Sequence, residues 1–193
     1  METKLRHYKA LIVSSQPKFN EETKLLLTNR QSIEMELEGS VSSARRRLNE
    51  RDFDFVIINS PLPDENGIRL AIDKSTSGTM AVLLMIPEKF YGEVFERVCQ
   101  SGVFTISKPI SRQRMEQALD WLESACARLK KAKQKTVSLE EKMAEIRLVN
   151  RAKWVLITEH GMDENEAHRF IEKSAMDRGV TKRVIAEGII GEG

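Results

Sequence analysis

The chain has 193 residues, of which 40% are hydrophobic, so it is long enough for one ordinary domain with a buried core and a smaller second element. Its 31 basic and 29 acidic residues leave a formal charge of only +2, so any surface that binds nucleic acid must be local. No apolar run approaches the roughly 18 residues of a membrane helix, and METKLRHYKALIVSS has too short an apolar core for a signal peptide. We therefore expect a cytoplasmic protein without membrane contact.

The residue types that carry catalysis or bind metals are scattered along the chain. Cys99 and Cys126 lack the spacing of a metal or redox motif, and His160 and His168 have no companion ligands. The sequence contains no paired catalytic residues, phosphate-binding loop or nucleophile with an adjacent base. We expect a protein that is not an enzyme and that uses no metal and no cofactor.

The chain up to Pro109 alternates short apolar runs with amphipathic stretches. Buried strands are predicted at 10–13, 53–58, 80–86 and 103–106, and the alternating segment 33–37 predicts a half-exposed edge strand. Helical spacing appears between them at 18–28, 41–51, 67–74 and 89–100. This repeated order of strand and helix predicts a doubly wound, five-stranded parallel sheet.

After Ser111 the pattern becomes that of one long helix. Apolar positions step by three and four through Leu122, Ala125, Leu129, Ala132, Thr136, Leu139, Met143 and Ile146, and Asn150 falls on the next a position of the heptad. Such a seam favours a parallel coiled-coil homodimer, formed by Leu122, Leu129, Leu139, Met143 and Ile146. The alternative is a helix that packs back on its own first domain, since Ala132 and Thr136 make the middle of the seam weak.

The last forty residues predict a compact basic unit of three short helices. Gly161 and Gly179 stand where helices should stop, and Asp163 with Glu166 fits a capping box. The expected core consists of Ala152, Val155, Leu156, Ala167, Phe170, Ile171, Ala175, Ile185, Ile189 and Ile190, joined by Met176. The expected outward cations are Arg151, Lys153, Arg169, Lys173, Arg178, Lys182 and Arg183. Packing is the expected role of Trp154, with base stacking as the alternative.

The first 120 residues resemble the receiver domain of two-component response regulators, through LIVSSQP, DFVIINSPLPDENG and SKPIS. The resemblance implies a flavodoxin-like fold. It also implies an acidic pair at 14 and 15, a phosphoacceptor aspartate at 59, a small hydroxyl at 86 and a lysine at 108. The chain instead has Ser14, Ser15, Asn59 and Ile86, and retains only Lys108 of this degenerate phosphorylation site.

These replacements remove the chemistry of phosphoryl transfer. The Asn59 amide is neither charged nor appreciably nucleophilic at neutral pH, and two serine hydroxyls are poor ligands for Mg²⁺. We expect Lys108 to hydrogen-bond Asn59 or a serine instead of an acyl phosphate. The sequence thus predicts a pseudo-receiver that serves as a dimerisation platform or responds to a signal other than phosphate.

Residues 151–190 resemble the ANTAR domain, an RNA-binding antitermination module. The resemblance rests on RAK at 151–153, on Glu166, Ala167, Arg169 and Ile171, on AMD at 175–177, and on IAE at 185–187 followed by Ile189 and Ile190. It implies recognition of hexanucleotide loops in tandem RNA hairpins of leader transcripts, which stabilises an antiterminator over a terminator. Unpaired loop bases need stacking surfaces and guanidinium groups, and this segment supplies arginines.

The sequence therefore predicts a pseudo-receiver at 1–120, a coiled-coil helix at 121–150 and an ANTAR domain at 151–193. The expected function is that of a homodimeric antitermination regulator that binds RNA hairpin loops and is not controlled by aspartyl phosphorylation. An unknown signalling protein is a further expected partner. The alternatives are a DNA-binding transcriptional regulator, since the last two helices superficially resemble a helix-turn-helix, and a protein-interaction adaptor.

Overall fold

The structure is a computed structural model that describes residues 7–30 and 33–191. By internal contacts the chain divides into two compact units after Ala132. Both predicted domain boundaries, after 120 and after 150, fall within one continuous helix. The predicted outer limits of the first and last domains lie outside the described residues.

The first unit contains a parallel sheet of five strands in the order β2-β1-β3-β4-β5. The strands are β1 (Tyr8–Val13), β2 (Ile33–Glu38), β3 (Phe55–Asn59), β4 (Ala81–Pro87) and β5 (Phe104–Lys108). All four pairings are parallel. The apolar β3 is fully buried. In the edge strand β2, Ile33 and Met35 are partly buried as the alternation of IEMELE predicts, but Leu37 is exposed.

Helices cover both faces of this sheet. They are α1 (Pro17–Thr28), α2 (Val41–Glu50), α3 (Ile68–Thr76), α4 (Tyr91–Val98) and the first part of α5 (Arg112–His160). Residues from α2, α3 and α4 share one buried cluster with Leu11, Val56 and Leu84, whereas residues from α1 and α5 share another with Ile12 and Ile57. Successive strand residues point to opposite faces, so the central strands β1, β3 and β4 each contribute to both clusters. The predicted doubly wound fold is confirmed.

Helix α5 runs without a break from Arg112 to His160 because the sequence contains neither proline nor glycine between Pro109 and Gly161. The separate short helix predicted to start at Arg151 is therefore the end of α5. Leu122 has no exposed surface and packs in the first unit's own core, and Leu129 is half-buried against the same cluster. Neither side chain is available for the predicted dimer seam, because this part of α5 packs against its own sheet. The spacing of three and four fits both arrangements, so the sequence alone did not separate them.

The second unit consists of the end of α5, α6 (Glu164–Arg178) and α7 (Lys182–Gly191). Asp163 accepts a hydrogen bond from the Glu166 amide at 2.7 Å, and the Glu166 carboxylate accepts one from the Asp163 amide at 2.9 Å. This confirms the predicted capping box. Gly161 and Gly179 adopt left-handed φ angles of 67° and 62°, which glycine adopts without steric cost, and so end the two preceding helices.

The core of the second unit agrees with the sequence prediction only in part. Buried residues come from all three helices: Ala152, Leu156, Ala167, Ile171, Ala175, Ile185 and Ala186, with Ile189 and Ile190 packed against them. Met176 was expected in this core but is 82% exposed, and Phe170 is also exposed. Ala186 was not expected and is fully buried. Each helix buries a narrow stripe that combines alanine with one leucine or isoleucine, and the large side chains beside the stripe remain outside.

Within residues 7–30 and 33–191, no helix is long and apolar enough to cross a membrane. In the same part of the chain, no group of three or more His, Cys, Asp or Glu side chains is arranged to hold a metal ion.

Candidate functional site

The position of the receiver phosphoacceptor is occupied by the buried amide of Asn59, at the carboxyl end of β3. Lys108, at the end of β5, donates a hydrogen bond from Nζ to Asn59 Oδ1 at 2.6 Å and a second one to the Ser60 carbonyl oxygen. The carboxyl ends of parallel strands meet at one edge of the sheet, which is why residues 49 positions apart come together here. Of the two partners that the sequence predicted for the Lys108 side chain, Asn59 or a serine, the structure shows Asn59.

The other side of the Asn59 amide is bound by residues that follow β1. Asn59 Nδ2 donates to Ser14 Oγ at 3.1 Å and to Gln16 Oε1 at 3.3 Å. Gln16 was not among the site residues expected from the sequence, although it stands three residues beyond the end of the first apolar run. Ser14 is buried with Asn59, whereas Ser15 is exposed. Of the degenerate site, the structure thus joins Ser14, Asn59 and Lys108 in one hydrogen-bonded network. Ile86, near the end of β4, is buried in the core of the first unit.

The electrostatics of this network differ from those of a phosphorylation site. Burial without a carboxylate partner lowers the pKa of Lys108 from its ordinary value. The groups that meet the Asn59 amide are a hydroxyl, a second amide and an ammonium group, none of which is an anion. The network therefore offers no nucleophilic carboxylate and no hard anionic ligand for Mg²⁺.

The intact LPDENG loop after Asn59 has a structural role that needs no phosphate. Asp64 accepts hydrogen bonds from the amides of Val41 and Ser42, both at 2.9 Å, and one from the Ser42 hydroxyl. These donors lie in the first turn of α2, and they hold the pKa of Asp64 well below its usual range. Asp64 thus attaches the loop to the start of α2.

The predicted cations of the second unit fall into two groups. Lys153 forms an ion pair with Glu164 at 3.2 Å and is largely covered, Lys182 pairs with Glu172, and Arg183 pairs with Glu187 at 2.8 Å. The hydrogen bond that Lys182 donates, together with the charge of Lys182, lowers the pKa of Glu172. These three cations are already neutralised by carboxylates of the same unit.

The second group consists of Arg151, Arg169, Lys173 and Arg178, which are exposed. Among the described residues, none of these four has a carboxylate within salt-bridge distance. Arg147 has the same properties and was not singled out from the sequence, although it precedes Arg151 by one helical turn. Exposed cations without local counter-charges are the residues of this unit best placed to meet phosphate groups.

Two shallow depressions of the second unit combine aromatic and polar side chains. One, of about 390 Å³, is lined by Phe170, Met162, Glu166, Arg169 and Lys173. The other, of about 400 Å³, is lined by Trp154, Asn150, Lys153, Ile157 and Glu164. Trp154 is 67% exposed, so the packing role expected from the sequence is wrong. An exposed aromatic face beside cations is typical of surfaces that stack on unpaired bases.

The remaining residues of the predicted dimer seam lie on the part of α5 that belongs to the second unit. Leu139, Met143 and Ile146 are each more than half exposed, and they follow one another at intervals of four and three residues. Because this spacing places them on one face of the helix, they form an apolar stripe, here called the α5 stripe.

Comparison with solved structures identifies the fold of the first unit. The chain is similar to the receiver domain of an HD domain-containing protein from Pseudomonas fluorescens, with a TM-score of 0.58 and 20% identity over 69% of this chain and 97% of that one. It is also similar to the response regulatory domain of mrkE from Klebsiella pneumoniae, with a TM-score of 0.55 and 18% identity over 62% and 98% of the two chains. At this identity the similarity establishes a receiver fold and nothing further.

Among curated proteins, the chain is 28% identical over 138 residues to the transcriptional regulatory protein PdtaR of Mycobacterium tuberculosis, covering 71% of this chain and 67% of that protein. It is 30% identical over 128 residues to the aliphatic amidase regulator of Pseudomonas aeruginosa, covering 66% and 64% of the two proteins. The matched segment thus spans about two thirds of each relative, and both relatives are regulators.

The C-terminal part of the chain matches a known domain family. Residues 138–190 match the ANTAR domain, a segment that includes the end of α5 together with α6 and α7. The match begins thirteen residues before Arg151, because the first helix of the domain is the continuous α5. The chain thus joins a receiver fold to an ANTAR domain, and transcriptional regulators are among its relatives.

Proposed function

We propose that this protein is an RNA-binding transcription antitermination regulator that acts in the cytoplasm as a homodimer on paired hairpin loops, without aspartyl phosphorylation. The observation that carries the proposal is the set of exposed cations without carboxylate partners in the ANTAR domain: Arg151, Arg169, Lys173 and Arg178. With a formal charge of +2 the whole chain has no strong attraction for a polyanion, so such a local set is what phosphate binding requires.

The shape of the domain surface favours unpaired RNA over duplex DNA. Arg169 and Lys173 lie one turn apart on α6 and line the same depression as the exposed ring of Phe170. This arrangement offers a stacking face with cations for the adjoining phosphates, which is how proteins commonly bind bases in loops. A major-groove reader instead needs a recognition helix with polar side chains along its outer face. On the outer face of α7, however, Val184 is exposed and Arg183 is paired with Glu187.

The α5 stripe supports the dimer. Leu139, Met143 and Ile146 expose apolar surface that a second copy of the same helix would bury, and the spacing matches a coiled-coil seam. A dimer presents two ANTAR domains to two linked hairpins, so the second contact benefits from a high effective concentration. Paired hairpins in one transcript are therefore the target that such a dimer favours.

The network of Ser14, Asn59 and Lys108 supports control by something other than phosphate. Without a carboxylate at position 59, the receiver fold cannot form an acyl phosphate, so the first unit acts as a structural platform. Abundance, dimerisation or an unidentified signalling protein then sets the activity of the ANTAR domain.

The proposal is tested by sequencing RNA that co-purifies with the full chain and measuring its affinity in gel shifts. We expect enrichment of leader transcripts in which two hairpins precede a terminator, and tighter binding to the two-hairpin RNA than to either hairpin alone. Arg169→Ala should weaken both complexes. Preferred binding to duplex DNA would support a DNA-binding regulator instead, and no binding to either nucleic acid would support a protein-interaction adaptor.

A further inference from the structure

The depression beside Trp154 combines four kinds of group on one small surface. The exposed indole of Trp154 forms one wall, and Ile157 adds an aliphatic side chain that packs against the core of the unit. Asn150 lies one turn before Trp154 on the same face of α5. The ion pair between Lys153 and Glu164 completes the lining, with Glu164 contributed by the first turn of α6.

From this arrangement we infer that the depression is a pocket for one unpaired nucleobase, which stacks on Trp154 and whose edge is read by the Asn150 amide. The inference rests on the proposed RNA-binding function and adds a specific base contact to it. Asn150 was not among the RNA-binding residues expected from the sequence, and base stacking by Trp154 was only the alternative to packing.

The indole of Trp154 is accessible at the surface of the second unit. The Trp154 side chain is 67% exposed, so most of its ring surface is accessible to a ligand. Every base has a π-face, and base-aromatic stacking fits a flat indole whose one side is free.

The charges around Trp154 favour a nucleic-acid occupant over an apolar protein surface. Arg147 and Arg151 precede Trp154 by seven and three residues, so all three lie on one face of α5. Both arginines are exposed, and within the described residues neither has a carboxylate at salt-bridge distance. A nucleotide whose base stacks on Trp154 has a phosphate on its 5′ and its 3′ side. Arg147 and Arg151 lie on the same face of α5 and are placed to meet the phosphates of a strand that runs along this helix.

The polar lining explains how the pocket distinguishes one base from another. In the part of the chain that the structure describes, the Asn150 side chain has no hydrogen-bond partner, so its amide can both donate to and accept from a base edge. A residue of this type at the end of a stacking platform reads the Watson-Crick or Hoogsteen edge of an unpaired base. In this inference Asn150 reads a base. At an a position of a coiled coil, its expected role would instead be to set the register of the two helices.

The test uses the full chain and a pool of stem-loop RNAs with a constant stem and a randomised hexanucleotide loop. The chain has two tryptophans, so Trp121→Phe leaves Trp154 as the single fluorescent reporter. We expect RNA to quench the fluorescence of this variant and to shield it from iodide. Trp154→Ala should weaken RNA binding about 5- to 150-fold, and Trp154→Phe should restore most of the affinity. Asn150→Ala should change which loop sequences are selected from the pool.

The outcomes separate this inference from the function on which it rests. If Trp154→Ala binds the pool as tightly as wild type while Arg169→Ala binds more weakly, RNA binding stands and the pocket is refuted. If wild type itself does not bind the pool, the proposed function fails and the pocket with it. If Trp154→Ala lowers the sedimentation mass of the RNA-free protein, the indole contacts a second copy, and the inference is overturned.

Discussion

Lys108 Nζ lies 2.6 Å from Asn59 Oδ1, so the lysine at the end of β5 meets a neutral amide at the position where a receiver has its phosphoacceptor. The same amide donates to Ser14, so one chain of hydrogen bonds joins the ends of β1, β3 and β5. Because the partners of this buried amide are provided by the protein itself, the edge of the sheet is complete without a phosphate or a metal ion.

The chain should therefore fail to autophosphorylate. Incubation with acetyl phosphate and Mg²⁺, followed by intact-mass measurement, should show no gain of a phosphoryl group, because the Asn59 amide is not a nucleophile. The matched positive variant combines Ser14→Asp, Ser15→Asp and Asn59→Asp, which returns the missing carboxylates and should gain mass. A gain in the wild-type protein that Asn59→Ala abolishes would contradict the prediction.

Two leucines of α5 test whether the start of this helix packs in the core of the first unit while the α5 stripe is exposed. Leu122 has no exposed surface, so Leu122→Ala should lower the free energy of unfolding of the first unit by about 2–5 kcal/mol. Leu139 is more than half exposed, so the same substitution there should change the unfolding of dilute protein by less than about 1 kcal/mol. Urea denaturation followed by circular dichroism compares the two variants, and equal losses would contradict the assignment.

The sequence predicted the sheet well because its signals are local. Buried strands such as β3 have no polar residue before Asn59, and the alternation in β2 marks an edge. It predicted the helix contacts less well, because the spacing that places Leu122 against a sheet is the same spacing that places Met143 on an exposed stripe. Only the position of the surrounding elements separates the two.

The candidate RNA site shows the same limit. Sequence spacing identified most of the outward cations but not their partners, and Lys153, which was expected to point outward, is largely covered. The pairing of Lys182 with Glu172 depends on how α6 and α7 pack, and that of Lys153 with Glu164 depends on α5 and α6. The expectation that Met176 and Phe170 enter the core failed because small residues such as Ala167 and Ala175 allow close packing that leaves no room for them.

Cys126 should make the stability of the first unit depend on alkaline pH. Burial raises the pKa of its thiol from 9.0 to about 12. Between pH 9 and 12 the folded protein keeps the thiol proton of Cys126, whereas the unfolded chain loses it. The stability that the protonated thiol contributes is therefore complete below pH 9 and is lost as the pH rises toward 12. The difference in unfolding free energy between wild type and Cys126→Ala should be about 1 kcal/mol smaller at pH 10 than at pH 8. The lowered pKa of Lys108 makes stability rise with pH, but this effect is the same in wild type and Cys126→Ala and cancels in the comparison. If the difference in unfolding free energy between the two proteins were the same at pH 8 and pH 10, the assignment to Cys126 would be wrong.

The α5 stripe should control assembly. Met143→Glu together with Ile146→Glu places charges on a surface that the proposed dimer buries, so sedimentation should shift toward the monomer. Affinity for a two-hairpin RNA should fall much more than affinity for a single hairpin, because only the former depends on linked domains. Val137→Glu on the same helix is the matched control, since Val137 is exposed outside the stripe and should leave both properties unchanged. Equal losses for the two RNAs would count against the dimer.

The salt dependence of RNA binding should separate the two groups of cations. Arg169 has no carboxylate partner among the described residues, so a phosphate it contacts releases counterions, and Arg169→Ala should reduce the slope of log affinity against log salt by about 0.7. The charge of Lys182 is compensated by Glu172, so Lys182→Ala should leave the slope nearly unchanged. Fluorescence anisotropy of a labelled hairpin across a range of salt concentrations measures both slopes. An equal reduction for the two variants would show that the ion pair of Lys182 opens to bind RNA and that the unpaired cations have no special role.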